Sequence, residues 1–493
     1  MNAIAQKCRP KHQVLVLKCY PRTTKGAVDV KPNSSELSYL LFYATSRRSK
    51  IQKIGSFLEK KTASDVWRLR IGNVQVTLQI LAALIEKSPK DLPLFASNVL
   101  KIFDLILGSK DITMAKSSIP TFEAFCENHD VSSSFADQGY LAQYESVVRS
   151  YATLASTRQT PGKGTPSQAV VMKWRTVGLE AIRSVCSSDP LSSVAGRQLA
   201  AIVPIILENL WHNDDTFLDV LLSRVQSEEK SDADKPMRRR TSVTTVKTSD
   251  TAGDTNHIAL VGTALDVDKL AEEDIGVLAL QCLKQIYIVP NQPQIHSATS
   301  SLLKFVLDRV AQNETVIDAG EKPGSERGWA IQILATVARW APVQDRYIIL
   351  VTTMDHISRL PLTEENLQQH IVLAIMVSSL LQSDINLIGL SVMDVLIGFI
   401  RHMKRLMHLP GPSGLPRTDS EREEQPQAGG DTTEQRMQLL DRIQQCIGGL
   451  ATHVYYADQI SDMISAILLR LRPSRSTSTN SSPPGEKADL YRE

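Results

Sequence analysis

Residues 66–87 read VWRLRIGNVQVTLQILAALIEK, and their spacing sets the fold class. Val66, Leu69, Val74, Leu78, Leu81 and Ile85 recur at steps of three to five residues, which is one apolar face of a helix. Pro89 follows and stops it. The next string, DLPLFASNVLKIFDLIL (91–107), repeats the pattern with Pro93 placed in its first turn. Working outward, helical runs are predicted at 112–126, 140–155, 169–186, 194–211, 274–288, 298–310, 329–340, 367–381 and 384–407, and over 435–471 in two pieces. No run alternates strictly, so a substantial sheet is not supported. Helices of about 12–22 residues joined by short polar or proline-containing turns are how HEAT and armadillo repeats are built. The expected fold class is all-α, a right-handed α-solenoid rod of degenerate armadillo/HEAT-like helical repeats.

The expected organisation follows from where apolar periodicity stops. Residues 1–226 form a helical-repeat region with a basic end, 265–407 continue it, and 435–472 close it with a hairpin. The segments 227–264, 408–434 and 473–493 are polar and rich in Ser, Thr, Pro and Gly, and are expected to be disordered. TRQTPGKGTPSQ (157–168) reads as an exposed loop. Within 227–264, the string RRRTSV sets Thr241 and Ser242 behind three arginines, a pattern that suits a basophilic kinase. A phosphate there adds about −1.5 to −2 charge units and weakens attraction to an acidic surface.

The chain has 493 residues and a formal net charge of only +2, but the charge is unevenly placed. The first 61 residues hold thirteen basic side chains against three acids, an excess of +10, which leaves −8 for the remainder. The concentration peaks in SYLLFYATSRRSKIQKIGSFLEKK (38–61), where Arg47, Arg48, Lys50, Lys53, Lys60 and Lys61 face one acid, Glu59. Taken as one helix from Arg47 to Lys61, Ile51, Ile54 and Leu58 share a narrow arc, and Lys50, Lys53, Lys60 and Lys61 share the neighbouring one. One side then packs on the rod while the other shows ammonium groups. Lys7, Arg9, Lys11 and Lys18 lie just upstream, in a segment that Val14, Leu15 and Leu17 can dock onto the rod.

Three readings of this basic end compete: a solvated face, a nucleic-acid site, or a site for an acidic membrane surface. A random face mixes signs, and this one scarcely does. Nucleic-acid binding calls for exposed aromatics or a recognisable module, and the sequence shows neither, so no nucleic acid is expected. On a membrane, each basic residue near the headgroups contributes about 1 kcal/mol. Cys8, between Lys7 and Arg9, is either an ordinary free thiol or an acylation site, where one chain plus a polybasic patch anchors stably.

The six cysteines are scattered without ligand spacing, so neither a zinc site nor a disulfide framework is expected, and a reducing compartment is implied. The most apolar stretch, 371–400, is broken by Gln382, Asp384, Asn386 and Asp394 and falls short of the roughly 20 apolar residues that a span needs. Catalytic signatures are missing too. GPSGLP is mis-spaced for a nucleophile elbow, GKGTPS lacks the P-loop order, and there is no HExxH. No enzyme activity, metal or cofactor is expected.

RPKHQVLVLKCYP (9–21), SSELSYLLFYATSRRSKIQKIGSFLEKK (34–61) and DVWRLRIGNVQVTLQILAALIEK (65–87) closely resemble the N-terminal region of the eighty-five-requiring, or rolling blackout, family, in its fungal branch. The resemblance implies an all-helical armadillo/HEAT-like rod that serves as a peripheral scaffold at the cytoplasmic face of the plasma membrane. In that family a basic patch binds acidic phospholipids. A tetratricopeptide-repeat adaptor then brings a type III phosphatidylinositol 4-kinase, which supports phosphatidylinositol 4-phosphate synthesis. The patch carries over first onto Lys11, Arg47, Arg48, Lys50 and Lys53, and secondarily onto Lys7, Arg9, Lys18, Lys60 and Lys61. The alternative is a soluble armadillo/HEAT-type adaptor, a cargo- or nucleic-acid-associated scaffold.

Overall fold

The structure is a computed structural model. It describes residues 9–22, 29–130, 137–161, 166–188, 197–212, 216–233, 264–318, 326–409, 428–454 and 459–471. Helices dominate the described residues, with one isolated antiparallel bridge, Asp318 to Arg327, and no strand. In order they are α1 (Lys11–Lys18), α2 (Ser34–Ser46), α3 (Ile51–Trp67), α4 (Ile71–Lys87), α5 (Ala96–Gly108), α6 (Ile112–Asn128), α7 (Gln138–Leu154), α8 (Gln168–Cys186) and α9 (Arg197–Leu210). Then come α10 (Phe217–Ala233), α11 (Ala264–Ile288), α12 (Gln292–Ala311), α13 (Trp329–Trp340), α14 (Tyr347–Arg359), α15 (Leu367–Gln382), α16 (Val392–Met407), α17 (Ala428–His453) and α18 (Ile460–Leu471).

The packing order makes a two-layered solenoid. In one layer α2 packs on α4, and the series continues through α6, α8, α11, α13, α15 and α17. In the other, α1 packs on α3, and the series runs through α5, α7, α9, α12, α14, α16 and α18. Among the described helices only α10 stands outside the alternation, lying on α11. The apolar stripes read from sequence are what the layers bury: Ile51, Ile54 and Leu58 on α3, and Val74, Leu78, Leu81 and Ile85 on α4. Helix starts are capped where the sequence offers a short acceptor. Asp111, Asp137 and Asn291 each accept from the backbone N–H three residues on.

Polar groups join the layers at a few points. The buried guanidinium of Arg175 on α8 donates to Asn209 Oδ1 on α9 (2.8 Å) and pairs with Glu272 on α11 (2.7 Å). Asn209 in turn donates to the Ala155 carbonyl at the end of α7 (2.8 Å). At Gly178 the backbone of α8 approaches the end of α7 so closely that an added Cβ would lie 2.4 Å from Ala155 N. Only glycine fits there.

The helix expectations need correcting in several places. Val66 belongs to α3, and the run 66–87 is interrupted at Arg68–Leu69–Arg70, with Leu69 at φ +51°. Pro93 sits in a 3-10 turn, Pro89–Leu94, ahead of α5 rather than in its first turn. Residues 384–391 bury Ile385, Leu387 and Leu390 without forming helix, so only the second part of 384–407 is helical. Helices α1, α2, α10 and α14 fall outside the predicted runs. α10 continues past Ser227 to Ala233, and α17 begins at Ala428, so helix reaches into two stretches expected to be disordered. Residues 234–263, including Thr241 and Ser242, and 410–427 lie outside the described residues, as does 473–493.

Candidate functional site

The basic end is built from α1, α2 and the start of α3. The expected single helix from Arg47 to Lys61 is instead broken. α2 stops at Ser46, Arg47 leaves the helical region (φ −139°, ψ 73°), a 3-10 turn spans Arg48–Lys50, and α3 begins at Ile51. The break turns the chain back and gathers cations from both sides of the corner. Lys11, at the first turn of α1, places its Nζ 5.5 Å from the ring centre of Tyr43 and 5.8 Å from that of Tyr39. Arg47 stands 5.8 Å from the Tyr43 ring. Such cation–π contacts fix otherwise mobile side chains.

α1 lies along α3, with His12, Gln13, Gln52, Lys53, Ser56 and Lys60 lining a shallow groove of about 270 Å³. The local field registers on His12. Partial burial first, and then the Lys53 and Lys50 ammonium groups, hold its pKa below the usual imidazole value. Arg9, Lys11, Arg47, Lys53 and Lys60 are exposed, Lys50 is half-buried, and none of the six has an ion-pair partner among the described residues. The acids in the stretch are occupied elsewhere. Glu59 accepts a hydrogen bond from Asn98 Nδ2 on α5 (2.6 Å), and Glu36 pairs with Lys18 at 3.8 Å.

Besides Lys18, two basic residues singled out from sequence are paired with acids of the chain, Lys61 largely buried and Arg48 with its side chain still mostly exposed. Lys61 donates to the buried Asp65 (2.8 Å) and lies 4.0 Å from the Tyr20 ring centre, with its side chain 16% exposed. Arg48 pairs with Asp91 of the 3-10 turn before α5. Lys7 and Cys8 lie outside the described residues. The other cysteines, Cys19, Cys126, Cys186, Cys282 and Cys446, are free and buried.

The sequence reading missed the aromatics of this end. Tyr39 and Phe42 on α2 are 46% and 67% exposed, which corrects the expectation that no aromatic is displayed here. Helical periodicity applied to 34–46 would have put Phe42 on the face opposite buried Leu40, Tyr43 and Ala44, and Tyr39 on its flank, one turn before Tyr43. Elsewhere a cleft of about 630 Å³ between α6, α8 and α11 mixes apolar walls with Lys116, Lys173, Glu180 and Asp268, the mixed-sign surface that the basic end lacks. Among the described residues there is no cluster of potential metal ligands, and no helix is long and apolar enough to cross a membrane.

A family model described as EFR3 protein matches residues 11–311 and 330–407, both the basic end and most of the solenoid. The chain belongs to the EFR3 family. Among curated EFR3 proteins it is 65% identical to Protein EFR3 of Pyricularia oryzae over 99% of this chain and 42% of that protein. It is 62% identical to Protein efr-3 of Neurospora crassa over 99% of this chain and 44% of that one. Protein EFR3 of Yarrowia lipolytica is 30% identical over 94% of this chain and 48% of that protein. The chain thus spans less than half the length of these EFR3 relatives. A crystal structure of Efr3 matches with a TM-score of 0.57 at 20% identity, covering 95% of this chain and 69% of that one, which shows the EFR3 fold to be shared.

Proposed function

We propose that this EFR3-family chain is a non-catalytic peripheral scaffold whose basic end binds acidic phospholipids at the cytoplasmic face of the plasma membrane. The solenoid body then recruits a phosphatidylinositol 4-kinase through a tetratricopeptide-repeat adaptor and so supports phosphatidylinositol 4-phosphate synthesis. The observation that carries the reading is the cluster at the α2–α3 corner: Lys11, Arg47, Lys50 and Lys53, without ion-pair partners among the described residues. Cations left unpaired by a protein that pairs Arg48, Lys18 and Lys61 so close by are available to an external anion.

The range of the attraction fits a surface. It fades over about a Debye length, roughly 8 Å at physiological salt, so only side chains held together at one corner act in concert. At about 1 kcal/mol per basic residue near the headgroups, four such residues are enough for reversible recruitment. Lys60 and Arg9 extend the set, and Lys61 and Arg48 are left to their structural pairs. Co-sedimentation with vesicles tests the reading. Vesicles containing phosphatidylserine or phosphoinositide should retain the protein and neutral vesicles should not, with retention falling as salt rises. Equal retention by both would remove the acidic-lipid assignment.

A further inference from the structure

The exposed face of α2 is chemically unlike the rest of the basic end. It consists of Ser35, Ser38, Tyr39, Phe42 and Thr45, at the three- and four-residue steps of one helical face. The only charged residue of α2 is Glu36, half-buried and turned to Lys18. A full helical face without charge is notable in a chain with 22% charged residues. α2 is also the terminal helix of its layer: α4 covers one side, α1 packs beside it, and no described helix lies beyond. Phe42 and Tyr39 are therefore displayed outward, and cations rim them, Lys11 over Tyr39 and Arg47 beside Tyr43.

We propose that Phe42 and Tyr39 insert into the interfacial layer of an acidic bilayer, so that α2 lies on the membrane as an apolar wedge held by the surrounding cations. This rests on the acidic-lipid reading above and deepens it by adding a contact that charge does not supply. The chemistry matches on both counts. Aromatic rings settle at headgroup depth, where an apolar body and a polar edge are both accommodated. An amphipathic helix face penetrates only about 5–10 Å, within reach of a phenylalanine side chain. The hydroxyls of Ser35, Ser38 and Thr45 tolerate that wet, polar layer. The rimming cations complement anionic headgroups, which selects a lipid surface as the occupant.

The two contributions respond differently to salt. Phe42→Ser removes an exposed side chain, so folding is untouched, and it should weaken binding to phosphatidylserine-containing vesicles about tenfold at low and at high salt alike. Lys50→Glu/Lys53→Glu should weaken binding strongly at low salt and progressively less as salt rises. Depth is read with Phe42→Trp in a Trp67→Phe background, as the emission in excess of Trp67→Phe alone, because Trp174, Trp211, Trp329 and Trp340 remain. On vesicles, Trp emission should shift to the blue and be quenched by lipids brominated high in the acyl chain. If the protein binds acidic vesicles while the residue-42 tryptophan keeps its aqueous emission, insertion is overturned and the electrostatic reading stands. If no acidic vesicle is bound, both fall. If Phe42→Ser leaves vesicle binding intact but dissolves a self-association seen by ultracentrifugation, the face belongs to a second copy of the chain, and insertion is again overturned.

Discussion

Lys11 Nζ stands 5.5 Å from the centre of the Tyr43 ring, a ring that is itself buried between α1 and α2. Arg47 approaches the same ring at 5.8 Å, so one aromatic group aligns a cation from each side of the corner. Tyr43→Phe should therefore leave binding to acidic vesicles unchanged. Tyr43→Leu keeps the apolar burial but removes the π face, at a cost of about 0.5–1 kcal/mol, and should weaken binding about two- to fivefold. Vesicle titrations of the two variants side by side measure the difference; equal affinities would mean that Tyr43 only fills space.

The three glycines with the most contrasting surroundings should rank in a fixed order. Gly178→Ala forces a Cβ against backbone, 2.4 Å from Ala155 N, and should cost more than about 2 kcal/mol. Gly276→Ala meets a side-chain end, Leu221 Cδ1 at 2.6 Å, which can rotate away, so its cost should be smaller. Gly108, with nothing within 4 Å of an added Cβ, should gain about 0.4–1 kcal/mol as alanine. Denaturant unfolding of the three variants tests the order, and a mild effect at Gly178 would refute the close contact of α8 with α7.

How much was legible in the sequence varied with what each residue was doing. α13 runs from Trp329 to Trp340 as periodicity predicted, and Ile51, Ile54 and Leu58 are buried as their arc required. The break at Arg68–Leu69–Arg70 was not legible, because neither Gly nor Pro marks it. It is held by Asp65, which is buried and accepts from Lys61 and Asn73, with Arg70 3.8 Å away. Likewise 384–391 carries the apolar residues of a helix, but Asn386 Oδ1 accepts from Ile388 N–H and Gly389 takes φ +89°, so the segment buries its side chains as a loop. At the candidate site, charge density was readable and pairing was not. Nothing local in the sequence tells that Arg48 turns to Asp91 while Arg47 meets no acid among the described residues.

Acid should weaken the fold through buried histidines. Burial holds His129 and His370 down to about 4. Burial, helped by His370 and Arg405, takes His402 to about 3. In the unfolded chain these rings titrate near 6.5. Above that pH neither state binds the protons. As pH falls below about 6.5 the unfolded state takes them up first, so stability declines steadily towards about pH 4. Glu180, whose carboxyl burial raises, works in the opposite sense. The rings of His370 and His402 lie 4.8 Å apart, so His402→Phe keeps the contact and removes one titrating group. The slope of unfolding free energy against pH between 6.5 and 4 should become shallower by up to about 1.4 kcal/mol per pH unit. Parallel slopes for wild type and variant would contradict the neutral, buried pair.

On the proposed reading, cations at the α2–α3 corner that lack ion-pair partners among the described residues attach this end of the solenoid to an acidic membrane. Lys11, Arg47, Lys50 and Lys53 are the residues to reverse together, leaving Arg48 in place because it holds Asp91. Glutamate is a good helix former and the buried stripe of α3 is untouched, so the melting temperature should change by less than about 3 °C. The decisive measurement is co-sedimentation of the fourfold Glu variant with phosphatidylserine-containing vesicles across a salt series. The account predicts binding about a thousandfold weaker or lost at physiological salt, since each residue contributes about 1 kcal/mol and reversal turns attraction into repulsion. A folded variant that still bound these vesicles with undiminished, salt-sensitive affinity would contradict it.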